Sequence, residues 1–167
     1  MTGPHFDREA VKALLALVAA DPGRTNAGKG GADLGATLSR LDLSGANLRG
    51  TDLSRLDLRG ATFAGADLTE ACLQLANLTD ANLTDANLSG ADMTDANLSG
   101  AVLRRADLTN TDLRHTVLTG ADLHGANLTH AFLTFTDLSG ADLTGACFHN
   151  ATLRGVVAIN TRGRALP

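Results

Sequence analysis

Ala81-Asn82-Leu83-Thr84-Asp85, followed at once by Ala86-Asn87-Leu88-Ser89-Gly90, is one five-residue unit written twice. Read outward from there, the unit continues without insertion or deletion from Ala36 to Gly155, as 24 consecutive blocks. The centre of a block is Leu in 21 cases, and Phe63, Met93 and Phe148 fill the other three. Two residues before the centre stands Ala in 18 blocks, Thr in four, and Leu41 and Leu56 in the remainder. The residue between them is Asp or Asn in 16 blocks, and the last residue is Gly, Asn or Asp in 16.

A period of five fits neither standard element. On a helix the successive Leu residues would step around the axis instead of forming a stripe. On an unbroken strand an odd period would throw them to alternate faces. The chain must therefore bend once per block. Within a block Ala and Leu lie two apart, so a three-residue extended piece points both inward and the Asp or Asn outward. The two residues that follow carry turn chemistry, with Gly, Asn and Asp suited to positive φ. Four bends close a square coil of twenty residues, and six coils at roughly 4.8 Å each make a rod about 29 Å long. The expected core includes Phe63, Leu78, Leu83, Leu88, Met93, Leu98, Leu103 and Phe148.

This A(D/N)LXX pattern resembles the pentapeptide repeat family over about three quarters of the chain. The resemblance implies an all-β fold, a right-handed quadrilateral β-helix; handedness and the number of sides come from the resemblance, not from the spacing. It also implies a protein without catalytic activity that works through its outer surface. A second role found in the family is mimicry of B-DNA to bind DNA gyrase, in members that confer quinolone resistance or self-immunity.

Composition narrows the alternatives. The chain has 167 residues and is 44% apolar, yet only 3% aromatic, with no Trp or Tyr. The core is thus built from small, uniform pieces. A net charge of −4 argues against binding nucleic acid or an anionic membrane. Cys72 and Cys147 make neither a disulfide framework nor a metal signature. Asp7, Arg8 and Glu9 precede any apolar run, unlike a signal peptide, and Ala13 to Ala20 is too short to span a bilayer. A reduced cytosol is the expected location.

Solenoid ends need covers. Residues 1–30 are expected to form a helical cap over residues 5–20, with Phe6, Leu14, Leu15 and Val18 on its apolar side, and then a Gly-rich linker. Binding of a partner by this helix is the alternative to capping. Ala32-Asp33-Leu34 reads as a block one residue out of register, the β-helix is bounded at 31–160, and residues 161–167, with Arg162 and Arg164, read as a tail. Gly23 to Gly30, with Lys29, nearly matches a phosphate-binding loop. It lacks the closing Ser or Thr and follows a helix instead of a strand, so it reads as linker. The Asn-x-Ser/Thr sequons at Asn77, Asn82, Asn87, Asn97, Asn127 and Asn150 are by-products of the repeat. No cofactor is expected, and a filled solenoid offers no concave pocket in which catalytic groups could converge.

The gyrase reading can be weighed by charge. The repeat holds 13 Asp, one Glu and eight Arg, a net of −6. The faces that begin with the blocks centred on Leu38, Leu43, Leu48 and Leu53 carry −1, −2, −2 and −1. B-DNA of about 29 Å would carry about 17 negative charges. The rod has about a third of that, and its centres are poorer in Phe than those of the gyrase-binding relatives.

Exceptions to the outward polar rule point to a contact surface. Phe132 and Phe135 lie on the face that begins with Leu53 and at its corner, with His115 one coil below Phe135. His130, and then Cys147 and His149 one coil above, lie across the neighbouring corner. Two readings stand for these six residues. Either the C-terminal segment folds back over the rings, or the patch is a protein contact, including a homodimer through the C-terminal coils. A metal site at His130, Cys147 and His149 is disfavoured, because these side chains are not preorganised. Outward Val102, Val117, Arg104 and Arg105 read as surface variation, and the identity of a partner is not written in the repeat.

Overall fold

A computed structural model describes residues 38–163. The expected helical cap, the linker, the block at Ala32-Asp33-Leu34 and Arg164 lie outside the described residues.

Each described block bends at its last residue. Every fifth residue from Arg40 to Asn160 has φ between 54° and 71°, in the left-handed region. Outward residues pair in parallel with the residue twenty positions on, so that Asp42, Thr62, Asn82, Val102, Asp122, Asp142 and Arg162 form one continuous ladder. Three further ladders start at Asn47, Asp52 and Asp57. Four ladders with a step of twenty make a four-sided all-β solenoid, and its sides are named below by their first centres, Leu43, Leu48, Leu53 and Leu58.

The block's hydrogen bonds explain its composition. In the block from Ala81 to Asp85, the Asn82 N–H donates to Ala61 O of the preceding coil, at 2.9 Å. The Leu83 and Asp85 N–H groups donate to Val102 O and Arg104 O of the next coil, at 2.7 and 2.9 Å. Across the bend, the Ala86 N–H donates to Leu83 O at 3.1 Å. That leaves the N–H of Thr84, which donates to Oδ1 of Asn82 at 3.0 Å. An unpaired backbone donor is costly, and Asp or Asn before the centre supplies the acceptor that the bend lacks. All 16 Asp and Asn residues at this position between Asp42 and Asp142 accept such a bond.

The core is the stack of centres. Phe63, Leu78, Leu83, Leu88, Met93, Leu98 and Leu103 are fully buried. Thr111, Thr116 and Thr136 replace Ala in this interior, and their hydroxyls donate to Leu88 O, Met93 O and Leu113 O at 3.0, 2.8 and 2.6 Å.

Two expectations change at the C-terminal end. Phe148 packs against the core but is only half-buried, as are Leu153, Val156 and Ala158, because no described coil stacks beyond them. The ladder also outruns the fading of the sequence pattern. Val157 pairs with Asp137, and Arg162, placed by the sequence in the tail, pairs with Asp142. Backbone pairing does not read side chains, so it continues where the Leu pattern lapses.

Candidate functional site

The polar surface is largely occupied by its own architecture. Asp52, Asp67, Asp137 and Asp142 accept from the hydroxyl and the N–H of the Ser or Thr two residues on, and these bonds hold their carboxyls below the usual carboxylate range. Among the described residues five ion pairs also engage Asp side chains, Asp67 among them: Arg59–Asp57 and Arg114–Asp112, both at 2.6 Å, Arg105–Asp85 at 2.7 Å, Arg104–Asp122 at 2.9 Å and Arg49–Asp67 at 3.7 Å. Sequons are explained in the same way. Asn77, Asn82, Asn87, Asn97 and Asn127 each accept the N–H of their own sequon Ser or Thr.

Among the described residues, two depressions open to solvent mark the surface. One, of 580 Å³, is lined by Ser39, Arg40, Arg59, Gly60, Thr79 and Asp80, and the other, of 310 Å³, lies along Gly120, Gly140, Asp142 and Arg162. Neither gathers a nucleophile, a base and an oxyanion donor.

The exposed apolar side chains are distributed unevenly. Among the described residues they are Leu75, Val117, Phe132, Phe135, Val157 and Ile159. All six lie on the Leu53 and Leu58 sides or at the corner between them, and none lies on the other two sides. Phe132 and Phe135 are 48% and 55% exposed, so no described segment folds over the rings. Phe135 stacks on His115, with centroids 5.3 Å apart and planes at 25°. On its other side the ring lies across Gly155, where a Cβ would stand 2.6 Å from it.

The six residues singled out by the sequence thus separate into two groups at opposite corners of the Leu53 side. Phe135 and His115 form one, with Phe132 on the side between the two corners, in the ladder with Asp112 and Thr152. The other holds His130 and His149, edge-to-face at 6.2 Å, with Cys147 at 3.5 Å from the Thr129 hydroxyl. Hydrogen bonds from Thr129 and from the His149 N–H lower the pKa of the exposed Cys147 thiol. Among the described residues no three His, Cys, Asp or Glu side chains are grouped to hold a metal ion.

Sequence reasoning missed Leu75, Val157 and Ile159 as parts of the apolar edge. The signal was available, since each breaks the outward polar rule as Phe132 does. Leu75 ends a block, and the other two become visible only when the five-residue frame is carried one block past Gly155.

Comparison with known proteins places the architecture. The family model described as "Pentapeptide repeats (8 copies)" matches residues 42–80, 81–120 and 121–157. A pentapeptide repeat protein of the Arabidopsis thaliana thylakoid lumen is 32% identical with a TM-score of 0.53, over 76% of this chain and 77% of that one. A pentapeptide repeat protein from Nostoc PCC 7120 is 31% identical with a TM-score of 0.45, over 75% of this chain and 90% of that one. QnrB1, a plasmid-mediated fluoroquinolone resistance protein, is 21% identical with a TM-score of 0.40, over 75% and 80%. A search of curated proteins finds no match. The family model covers most of the chain, and its five-residue frame is the one in which every described block bends and every outward residue pairs twenty positions on; the chain belongs to the pentapeptide repeat family.

Proposed function

We propose that the protein is a non-catalytic interaction scaffold of the cytosol whose contact surface is the apolar edge around Phe132 and Phe135. The observation that carries this reading is the one-sidedness of the described surface, where the six exposed large apolar residues found among the described residues all lie on two adjoining sides. A rod that only had to fold could leave such residues anywhere outside its core, whereas apolar side chains gathered on one edge suit a partner. The free thiols of Cys72 and Cys147 accord with a reducing compartment.

The test compares wild type with Phe132→Ser/Phe135→Ser and with Thr84→Glu, a control on the Leu43 side. Light scattering reports self-association, and co-purification from extract reports other partners. Association lost in the double variant and kept in the control supports the scaffold. Association indifferent to the double variant rejects this edge.

Mimicry of DNA on gyrase is the second reading. The net of −6 along the rod has the sign that mimicry needs but only about a third of the charge of DNA of that length, and the five ion pairs among the described residues weaken the reading further by engaging several of the Asp residues that would stand for phosphates. A gyrase supercoiling assay with and without a quinolone separates the two, since a scaffold of this kind leaves the enzyme unaffected.

A further inference from the structure

Along the corner between the Leu53 and Leu58 sides, the described blocks end in Arg55, Leu75, Asp95, His115, Phe135 and Gly155. The corner diagonally opposite ends in Gly45, Gly65, Asp85, Arg105, Gly125 and Gly145. All twelve residues are left-handed, a conformation that costs a residue with a Cβ about 1–2 kcal/mol. Four glycines relieve that cost at one corner and only one does at the other. Leu75, with φ 59°, and Phe135, with φ 61°, are exposed as well as strained, so neither burial nor turn chemistry accounts for their choice.

The order of side chains along this corner has a symmetry. Asp95, His115 and Phe135 sit on successive coils, and Arg154 precedes Gly155 on the coil above. Asp95 and Arg154 have no ion-pair partner among the described residues. Midway between the levels of His115 and Phe135, a two-fold axis perpendicular to the rod exchanges Phe135 with His115 and Arg154 with Asp95. Two copies laid side by side and antiparallel about that axis would set the exposed edge of each Phe135 ring, whose faces lie against its own His115 and Gly155, beside the other's His115. Each Arg154 guanidinium would meet the other's Asp95 carboxylate. The same operation places Asp137 opposite Val117, so it does not bring the acids of the Leu58 side together.

We infer that this edge is the self-complementary interface of an antiparallel, side-by-side homodimer, with Phe135 against His115 of the second copy and Arg154 against Asp95 of the second copy. The inference rests on the reading of this edge as the contact surface and goes beyond it by naming the occupant and the register. An isologous interface requires that one patch be its own complement, and the acid–histidine–phenyl–base order meets that requirement. Leu75, three coils below Phe135, falls outside the paired levels.

Sedimentation and light scattering on the full chain test it. Wild type is expected at twice the 17.1 kDa chain mass. Arg154→Glu and Asp95→Arg should each weaken the dimer about tenfold or more, as loss of a close charge pair and its replacement by repulsion does. The combined Arg154→Glu/Asp95→Arg chain should recover to within a few fold of wild type, because the pair is re-formed with reversed sign. Phe135→Gly should be monomeric and should keep a cooperative melt, since Gly is at ease at positive φ. A dimer broken by Phe135→Gly but indifferent to both charge reversals overturns the antiparallel register. A wild type that stays monomeric at about 100 µM, where even weak complexes are populated, overturns the second copy as occupant. Loss of co-purifying proteins in Phe132→Ser/Phe135→Ser would, in that case, leave the scaffold reading standing.

Discussion

Leu88 and Ser89 are chain neighbours with opposite fates, one fully buried in the stack and the other a half-buried outward residue whose N–H is held by Asn87 at 3.0 Å. Leu88→Arg is therefore expected to abolish the cooperative melt by burying an unpaired charge, and Ser89→Arg to melt as wild type does. Circular dichroism against temperature checks both. The inward assignment was legible in the sequence because Leu and Ala repeat with so few exceptions. The role of Asp and Asn was only half legible. Their outward direction followed from the spacing, but the donor that each one satisfies appears only once the bend geometry is known. Those bonds also fix a pH dependence. Asp52, Asp67 and Asp137 have carboxyls held low by a hydroxyl and an N–H from the residue two on. A depressed native pKa contributes stability in full above the unfolded value, near 4, and loses it as pH falls through the native value. The melting temperature should hold from pH 7 to pH 5 and drop below about pH 4. A drop between pH 7 and pH 5 would instead show that groups other than these carboxylates carry the dependence.

A coil is stabilised by the coils on either side of it, so position along the rod matters as much as residue type. Leu113 and Leu153 share one inward column, two coils apart, yet Leu113 is 1% exposed and Leu153 is half-buried. Leu113→Ala should cost about 2–5 kcal/mol and Leu153→Ala clearly less, because a cavity is only as costly as its walls are closed. Denaturant midpoints of the two variants measure the difference, and equal losses would mean that the last described coil is covered. The sequence marked Phe148 as core because it occupies a centre, but a frame alone does not state whether another coil lies above. The same limit hid Arg162. Its place in the ladder is set by backbone pairing with Asp142, while the side-chain pattern had already lapsed at Val156 to Ile159. The expected helix over residues 5–20 lies outside the described residues.

At the scale of the rod, deletions of five and of twenty residues should have different consequences. Removing residues 56–75 takes out one whole coil and leaves Asp95, His115, Phe135 and Arg154 aligned, so the fold and the self-association should both persist. Removing residues 121–125 takes out one side. The blocks re-pair, and Phe135 swings a quarter turn away from His115, so the fold should persist while association fails. Circular dichroism and light scattering on the two variants read fold and association separately. Unfolding of the five-residue deletion would show that the blocks are not interchangeable. Both outcomes follow from the ladder of Asp42, Thr62, Asn82, Val102, Asp122, Asp142 and Arg162, in which pairing is blind to whether the residue is acid, amide, hydroxyl, aliphatic or base. That indifference turns residue number into a map reference. The remainder after division by twenty gives longitude and the quotient gives latitude, so a chosen chemical group can be set at a chosen point on the surface by counting along the chain.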